Sequence, residues 1–270
     1  MGAIGLDFLD TAMTALPPPL RAWSENAENL CVFADIPMLW QKNDVLTFLA
    51  DTGMYHASLY HGLDEGEKEQ VHQFKSEYFL KRFTVSRCIL RQILPCIPGM
   101  EIPADVSLTR EKNGQITMNN RQDIFISLSY SGFCIAVTVG KQKIGSDIER
   151  IRSLETKKLR SGPLIESLMD GKEIQDDRHL IHLWTLLEAY AKFHDMSLYP
   201  LTADRFSLSD NRFVSYCIDE DFILTLAYGS HRMKDALLWI DPACGLAPAP
   251  PGKKGACVSP VPDGDTYVRA

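Results

Sequence analysis

The stretch IFISLSYSGFCIAVTVGKQKIGSDIE, residues 124–149, contains three strand-like segments separated by two short connections. Ile124–Ser129 is rich in β-branched residues and partly alternating, and Phe133–Val139 is almost entirely apolar, which is typical of a buried strand. Both connections contain glycine, as tight turns often do. The stretch therefore predicts a three-stranded meander that ends in the strand Ile144–Glu149.

Helical patterns lie on both sides of this meander. Upstream, apolar residues recur at helical spacing between Val71 and Leu94, and Pro95 ends the pattern. Downstream, His179–Phe193 has a strongly helical apolar face. The other predicted strands are Leu30–Ile36, Arg205–Leu208, Phe213–Ile218 and Phe222–Tyr228. The order of helix followed by strands occurs twice, which favours an α+β fold built from two similar halves.

The same order suggests the domain organisation. Residues 1–26 are an N-terminal extension, residues 27–142 are the first α+β half, and residues 143–240 are the second. Residues 241–270 are rich in Pro, Gly and Ala and have little apolar periodicity. Such a tail buries too little apolar surface to offset its ordering entropy, so it is predicted to be disordered.

Composition restricts the functional classes. The chain has 270 residues, of which 45% are hydrophobic, and a formal net charge of −7. General nucleic-acid binding needs a basic face, so an acidic chain is poorly suited to it. No apolar run approaches the roughly 20 residues that span a bilayer, and no secretory signal is recognisable, so no membrane partner is expected. The seven cysteines form no C-x-x-C pair, which argues against structural zinc and favours buried free thiols in the cytoplasm.

Two carboxylates mark the last strand of the predicted meander. Asp147 and Glu149 alternate with Ile148, so the two acids share one face while Ile148 points towards the core. Hard divalent cations such as Mg²⁺ prefer oxygen ligands of this kind, completed by phosphate oxygens and water. The same pattern is also common on exposed strands, and by itself it leaves that alternative open.

The helix His179–Phe193 carries a third acidic residue. Trp184, Glu188 and Lys192 lie one turn apart on nearly the same face of this helix. Glu188 is surrounded by apolar residues, where a carboxylate without a partner is unfavourable. The alternative is an exposed Glu188–Lys192 ion pair beside a core tryptophan.

Together these segments resemble the phosphopantetheinyl transferases, in particular the larger, surfactin-type class. GSDIE at 145–149 and WTLLEAYAK at 184–192 correspond to the family motifs G-[IV]-D-[IVL]-E and W-[ST]-x-K-E-[AS]-x-x-K. KRFTVSRCILRQIL at 81–94 resembles the arginine-rich helix of the first half, and SLSYSG at 127–132 resembles the L-S-H-S-G turn. The four motifs occur in the family order, and four in register are more specific than any one of them.

The resemblance implies a fold, a reaction and a set of ligands. The expected fold is a pseudodimer of two α+β halves with the active site in the cleft between them. The expected reaction is magnesium-dependent transfer of the 4′-phosphopantetheine arm of coenzyme A to a serine of an acyl or peptidyl carrier protein. Asp147, Glu149 and Glu188 would hold Mg²⁺, Glu188 would also accept the serine proton, and Lys192 would stabilise phosphate charge. A fused pseudodimer has less need to dimerise, which predicts a monomer.

Three further residues match positions at which the family binds coenzyme A. Ser129 and Tyr130 occupy the turn that contacts the nucleotide phosphate. Arg82 lies on the helix that offers basic groups nearby. For Arg82 the alternative is a solvated helix face.

Several cations of the family are replaced in this chain. Tyr130 stands where L-S-H-S-G has its histidine, and a tyrosine hydroxyl brings no positive charge. Leu187 replaces the lysine that precedes the catalytic glutamate, and Gln115 replaces the lysine of an upstream G-K-P. The segment His194–Leu198 stands where the family has G-K-G-L after the last helix. Coenzyme A carries several negative charges, so these losses are expected to weaken its binding or to indicate another ligand.

Two functional hypotheses therefore stay open. The retained carboxylates favour an active transferase. The missing cations favour a diverged member that binds a carrier protein, or acts on a carrier-bound intermediate, without transferring the arm. A generic magnesium-dependent phosphate enzyme has no independent support, because the chain contains neither G-x-x-x-x-G-K-[ST] nor G-x-G-x-x-G.

Overall fold

Two β-sheets and four α-helices form the described part of the chain, as seen in a computed structural model. The structure describes residues 20–23, 30–100, 108–110, 116–118, 121–153, 165, 173–197, 211–229 and 233–240. The helices are α1 (Ile36–Lys42), α2 (Glu65–Gln73), α3 (Glu77–Ile93) and α4 (Asp177–Phe193). None of these described helices is long and apolar enough to cross a membrane.

The strands divide into a larger and a smaller sheet. The seven-stranded sheet has the order β2-β11-β3-β7-β6-β5-β4, and the four-stranded sheet has the order β1-β9-β10-β8. The pairs β1–β9, β2–β11 and β3–β11 are parallel, and the other pairs are antiparallel. The strands are β1 (Leu20–Trp23), β2 (Leu30–Cys31), β3 (Val45–Asp51), β4 (Leu108–Arg110), β5 (Ile116–Met118), β6 (Arg121–Ser131), β7 (Cys134–Gly140), β8 (Ile144–Arg150), β9 (Arg212–Ile218), β10 (Phe222–Tyr228) and β11 (Asp235–Ile240).

The sheets are the two inner layers of a four-layer arrangement. Side-chain alternation along β3 places Leu46 in the core beneath α1, α2 and α3, and it places Val45 in the core between the sheets. Ile144 and Ile148 of β8 enter this second core from the four-stranded sheet. The outer face of that sheet is covered by α4, which contacts β8 and β10.

The predicted meander is correct for its first two strands and wrong for the third. β6 and β7 form an antiparallel hairpin, with Ser131 opposite Cys134. β8 instead pairs with β10 at the edge of the four-stranded sheet, with Asp147 opposite Thr225. The physical reason is that β3 already occupies the other edge of β7, so no position beside β7 remains for β8.

The α+β class is confirmed, but sheet membership does not follow the predicted boundary between residues 142 and 143. β11 belongs to residues 143–240, yet it lies between β2 and β3 in the seven-stranded sheet. β1 belongs to the predicted extension 1–26, yet it pairs with β9 in the four-stranded sheet. Each sheet thus contains one strand from outside its predicted segment. The predicted tail 241–270 and the predicted strand Arg205–Leu208 lie outside the described residues.

Local differences from the predicted elements have clear causes. The strand predicted at Leu30–Ile36 ends at Cys31, and α1 begins shortly afterwards with a proline in its first turn, a favourable helical position. The helical pattern that begins at Val71 is interrupted between α2 and α3, where Phe74 adopts extended backbone and its ring packs 5.3 Å from that of Phe83. The helix predicted at His179–Phe193 is confirmed as α4.

Gly145 determines how closely α4 approaches β8. A Cβ atom at this position would lie 2.1 Å from the carbonyl oxygen of Ala189 and 2.5 Å from the amide nitrogen of Phe193. Both are backbone atoms of α4, so a side chain here would push the helix away from the strand. The glycine therefore allows the C-terminal half of α4 to lie directly on β8.

Candidate functional site

β8 presents Asp147 and Glu149 on the face that α4 covers. Ile148 packs into the core between the sheets, which confirms the predicted alternation of acidic and apolar side chains. Asp147 is 5% exposed, whereas Glu149 is only partly buried. The two acids therefore differ in solvent access although they share a face.

Lys192 of α4 binds the more buried of these acids. Its Nζ donates to Oδ1 of Asp147 at 2.8 Å and to the carbonyl oxygen of Ser146 at 3.0 Å. The alternative of an exposed Glu188–Lys192 ion pair is wrong, because Lys192 pairs across the helix–strand contact instead. Among the described residues of α4, Lys192 is thus the cation that contacts the acidic face of β8, and it does so at Asp147.

The second carboxylate oxygen of Asp147, Oδ2, differs from Oδ1 in its hydrogen bonding. Oδ2 is buried and has no hydrogen-bond partner among the described residues. Burial raises the pKa of the Asp147 carboxyl above its ordinary value, although Lys192 and the Ser129 hydroxyl lower it and Glu149 raises it further. An oxygen that is buried, anionic and unpaired is unfavourable in the free protein and is available to a cation.

Glu188 lies within electrostatic range of both strand acids. Desolvation raises the pKa of the Glu188 carboxyl, the negative charges of Asp147 and Glu149 raise it further, and Lys192 opposes the shift. No described residue forms a hydrogen bond or an ion pair with Glu188. The charges of the acidic cluster, which consists of the three predicted acids and Lys192, therefore influence one another, while Asp147 and Lys192 are the one pair among these four that a described hydrogen bond joins.

Glu149 is held at the rim of this cluster. Its Oε2 accepts hydrogen bonds from the Ser131 hydroxyl at 2.7 Å and from Nη1 of Arg152 at 3.0 Å. Arg152 is exposed, so this ion pair is screened by solvent and contributes little to stability. The buried part of the cluster therefore contains more carboxylates than cations.

The three acids do not form a ready-made metal site in this conformation. Within the described residues, no three His, Cys, Asp or Glu side chains are grouped closely enough to hold a metal ion. Lys192 occupies Oδ1 of Asp147, and Ser131 and Arg152 occupy Oε2 of Glu149. Carboxylate oxygens are suitable ligands for Mg²⁺, but the three carboxylates would have to move closer together to coordinate one ion.

Arg82 is enclosed by aromatic rings. The central carbon of its guanidinium lies 4.6 Å from the ring centroid of Phe79, 5.1 Å from that of Tyr78 and 4.9 Å from that of Tyr130. Arg82 is partly buried, and Tyr78 and Phe79 are themselves exposed, so the alternative of a solvated helix face stays open. Among the described residues, none accepts a hydrogen bond from its N–H groups, so these donors are available to an anion.

Tyr130 lies with Arg82 rather than with the acids. The hydroxyl of Ser86 donates to the carbonyl oxygen of Phe83, so the Tyr130 hydroxyl donates to Ser86 at 2.9 Å. Its single proton is thus used within the protein. Because neighbouring strand residues point to opposite faces, Ser129 faces β8 while Tyr130 faces α3. The structure therefore separates the two residues that the resemblance placed together on the nucleotide phosphate.

A ladder of serines on β6 was not predicted from the sequence. Ser127, Ser129 and Ser131 alternate along the strand, and each accepts a backbone N–H from β8. The repeated S-x-S-x-S in SLSYS was the available signal, because three hydroxyls at period two must line one face. It was missed because β8 was expected to lie beside β7.

The structure shows the surroundings of two residues that replace cations of the family, Leu187 and His194. Leu187 is 1% exposed and packs in an apolar cluster with Leu180, Leu183 and Tyr190. A lysine would not be accommodated there without moving its charge out of the cluster. The imidazole Nε2 of His194 lies 3.1 Å from Oδ1 of Asn211. Gln115 lies outside the described residues.

The cysteines agree with the sequence analysis as far as the structure describes them. The five described cysteines are buried and not disulfide-bonded, and they are Cys31, Cys88, Cys96, Cys134 and Cys217. Burial raises the pKa of Cys88 and of Cys134 to about 12, so these thiols are not poised as nucleophiles.

Comparison with known proteins adds no family assignment. No protein-family model matches the chain, and a search of curated proteins returns no significant match.

Proposed function

We propose that this protein is a magnesium-dependent phosphopantetheinyl transferase that modifies an acyl or peptidyl carrier protein. The observation that carries the proposal is the excess of negative charge between β8 and α4. Asp147 and Glu188 lie near one lysine, Lys192, while Glu149 pairs with the exposed Arg152, and the buried Oδ2 of Asp147 has no hydrogen-bond partner among the described residues. The order of the four sequence motifs supports the proposal from a separate direction.

Asp147, Glu149 and Glu188 are the residues that would hold Mg²⁺. Their donor atoms are all carboxylate oxygens, and at least one of them is buried and unpaired. The proposal includes a side-chain rearrangement, because the described acids are not grouped closely enough to coordinate a metal as they stand. When bound, Mg²⁺ would act as a Lewis acid that neutralises the pyrophosphate of coenzyme A.

Glu188 would act as the general base. The serine hydroxyl of the carrier protein attacks the phosphorus next to the pantetheine arm, a new P–O bond forms, and the P–O bond to adenosine 3′,5′-bisphosphate breaks. The serine proton passes to Glu188, directly or through a water. In the metal-free protein, desolvation and the neighbouring carboxylates raise the pKa of Glu188, and a higher pKa makes a carboxylate a stronger base.

Lys192 and Arg82 would supply positive charge to the phosphates. Lys192 already lies at the acidic cluster, and it retains donor capacity beyond its bonds to Asp147 and Ser146. Arg82 retains its N–H donors and is oriented by the surrounding rings. Ser129 and Tyr130 would donate no hydrogen bond to a phosphate in this conformation, because Ser129 donates its proton to Asp147 and Tyr130 donates its proton to Ser86.

We also propose the pseudodimeric arrangement that the resemblance implies. Each sheet is covered by one helix of 17 residues, α3 for the seven-stranded sheet and α4 for the four-stranded sheet. The acidic cluster lies where β8 of one sheet meets β6 of the other, as a site between two halves requires. A monomer with two joined halves is the expected form, with the carrier protein as its partner in the cytoplasm.

The direct test is a transfer assay read by mass spectrometry. Purified protein is mixed with coenzyme A, Mg²⁺ and a panel of apo carrier proteins from fatty-acid, polyketide and peptide synthases. We expect at least one carrier to gain the mass of one phosphopantetheine arm. The gain should disappear with Asp147→Ala and with a chelator. The variant Glu65→Gln, which removes only an exposed ion pair with Lys68, should retain full activity.

A second function is favoured by the cations that the site lacks. Leu187 is buried in an apolar cluster and the Tyr130 hydroxyl is held by Ser86, so neither position can contribute charge to a coenzyme. The second candidate is therefore a protein that binds a carrier protein, or acts on a carrier-bound intermediate, without transferring the arm. Carrier binding by calorimetry together with no mass gain across the panel would select it.

A further inference from the structure

We infer that Ser127, Ser129 and Ser131 form a hydroxyl ladder that joins the two sheets, and that Ser129 and Ser131 are positioning residues for Asp147 and Glu149. The ladder stands on its own geometry, and the positioning role rests on the proposed function of the two carboxylates. The inference assigns Ser129 to the acids of the site rather than to a phosphate of the coenzyme.

The ladder replaces a missing backbone pairing. β8 is an edge strand of the four-stranded sheet, so alternate N–H groups along its outer side have no strand partner. The amide nitrogens of Ser146, Ile148 and Arg150 donate to the three serine hydroxyls at 2.9, 3.1 and 2.8 Å. Each rung thus satisfies a backbone donor that would otherwise be left without a partner at the junction of the sheets.

Each hydroxyl has one proton, and the ladder specifies where it goes. Ser129 donates to Oδ1 of Asp147 at 2.7 Å, and Ser131 donates to Oε2 of Glu149 at 2.7 Å. Ser127 donates to the carbonyl oxygen of Ser146 at 3.5 Å, which is a long contact to backbone rather than to a carboxylate. Ser129 and Ser131 therefore donate to the proposed metal ligands, whereas Ser127 does not.

The hydrogen bond that each serine accepts from a β8 amide restricts the direction in which its own hydroxyl can donate. A serine hydroxyl that accepts from the strand backbone keeps its remaining hydrogen-bonding directions in a narrow range. Ser129, together with Lys192, thereby holds Oδ1 of Asp147 and leaves Oδ2 as the oxygen without a described partner. Such orientation of a ligand by a neighbouring hydrogen bond is how supporting residues raise metal affinity.

Ser127 provides a matched control for the two positioning serines. Ser127→Ala removes the hydrogen bond that the buried Ser146 amide makes to the ladder, but it removes no hydrogen bond to a carboxylate. Ser129→Ala and Ser131→Ala remove a rung and a carboxylate bond together. Ser129→Thr keeps the hydroxyl on a side chain that favours strands, so it serves as the rescue variant.

The first arm of the experiment measures amide hydrogen exchange by NMR in the metal-free full chain. Each alanine variant should accelerate exchange at one amide more than at the other two: Ser146 in Ser127→Ala, Ile148 in Ser129→Ala and Arg150 in Ser131→Ala. Equal rates at these amides in all variants and in the unchanged protein would overturn the ladder.

The second arm measures Mn²⁺ affinity by electron paramagnetic resonance. We expect Ser129→Ala and Ser131→Ala to weaken binding by roughly 10–100-fold, the usual loss when a supporting hydrogen bond to a ligand is removed. Ser127→Ala and Ser129→Thr should stay within about threefold of the unchanged protein. Equal losses in Ser127→Ala and Ser129→Ala would overturn the positioning role and leave the proposed function intact. Absence of Mn²⁺ binding in the unchanged protein would overturn the proposed function and the positioning role together, whereas the exchange pattern would still test the ladder.

Discussion

The protein contains two buried acidic clusters, each built against a helix of 17 residues, and they are composed differently. In the first, Arg91 of α3 binds Asp64 and Glu67, and Arg87 lies 3.6 Å from Glu67. In the second, Asp147 and Glu149 of β8 face α4, which contributes Glu188 and Lys192, and Lys192 binds Asp147. The first cluster has two acids and two arginines, so its charges balance. The second has an excess of negative charge in its buried part.

The difference separates a structural network from a candidate binding site. In the first cluster, Asp64 and Glu67 also form the capping box that begins α2, so the acids serve the backbone as well as the arginines. In the second cluster, Oδ2 of Asp147 has no hydrogen-bond partner among the described residues; in the first, Oε1 of Glu67 also lacks a hydrogen bond, but it lies 3.6 Å from Nε of Arg87. Uncompensated buried charge is expensive to retain in a fold, and it is commonly found where a ligand compensates for it.

The largest expected effect comes from unbalancing the first cluster. Glu67→Gln removes its central negative charge while keeping the size of the side chain, and it leaves Arg87 and Arg91 with too few counter-charges. Breaking a buried ion pair from one side destabilises a protein by roughly 3–5 kcal/mol. Chemical denaturation should report that loss, while the increase in stability that Mg²⁺ causes should be unchanged.

Glu65→Gln is the control for this variant. Glu65 lies in the same turn of α2 but is exposed, and its ion pair with Lys68 contributes little. The change should stay within about 0.5 kcal/mol of the unchanged protein. A loss in Glu67→Gln as small as that in Glu65→Gln would show that the first cluster does not stabilise the fold.

The second expected effect is a response to Mg²⁺ that only the second cluster provides. A ligand that binds only the native state at 100 times its Kd raises the free energy of unfolding by about 2.7 kcal/mol. Thermal unfolding with and without saturating MgCl₂ should show this gain in the unchanged protein and in Glu67→Gln. Asp147→Asn should abolish it, because a neutral amide is a poor magnesium ligand. Equal gains in Asp147→Asn would place the cation elsewhere.

The third expected effect concerns the close packing of α4 on Gly145 of β8, which brings Lys192 to Asp147. Gly145→Ala would force the backbone of α4 away from β8, and overpacking of this kind costs typically 1–3 kcal/mol. The bond between Lys192 and Asp147 should be lost with it. Denaturation midpoints measure the first consequence, and Mn²⁺ affinity measures the second.

Gly229→Ala is the matched control for the glycine. Beyond its chain neighbours, a Cβ atom there would meet no atom of the described residues within 4 Å, so the change should be neutral or slightly stabilising. Equal stability in the two variants would contradict the close approach of α4 to β8.

The smallest expected effect is a gain in stability from removing charge at Glu188. Its pKa in the folded state lies above the ordinary value of 4.5, so the native state keeps the proton where the unfolded state has lost it. Stability of the metal-free protein should therefore fall as the pH rises from 4.5 through the raised pKa. Glu188→Gln should remove this contribution and raise stability at neutral pH by roughly 0.5–2 kcal/mol. Destabilisation across the whole pH range would show that the charge is compensated.

Local pattern predicted the parts of the fold that local chemistry determines. Helix α4, strands β9 and β10 and the outward alternation of Asp147 and Glu149 follow from periodicity along one segment. The transfer of β8 to the other sheet does not, because it depends on β3 occupying the edge of β7, and β3 lies almost 100 residues away. The joining of β11 to the first sheet has the same non-local origin.

The candidate site was predictable in its residue types and not in its contacts. The sequence identified the three acids and Lys192, but it could not show that Lys192 binds Asp147 rather than Glu188. It placed Ser129 and Tyr130 together because they are neighbours in the chain, whereas the strand turns them to opposite faces. The serine ladder depended on the position of β8, so the error in the meander concealed it.

The most direct measurement is the anomalous difference map of a crystal grown with MnCl₂. We predict one strong peak between β8 and α4, within coordination distance of Asp147 Oδ2, Glu149 and Glu188. A fully occupied Mn²⁺ at another place, with Oδ2 of Asp147 still unpaired, would contradict the proposal that these three acids form a cation site.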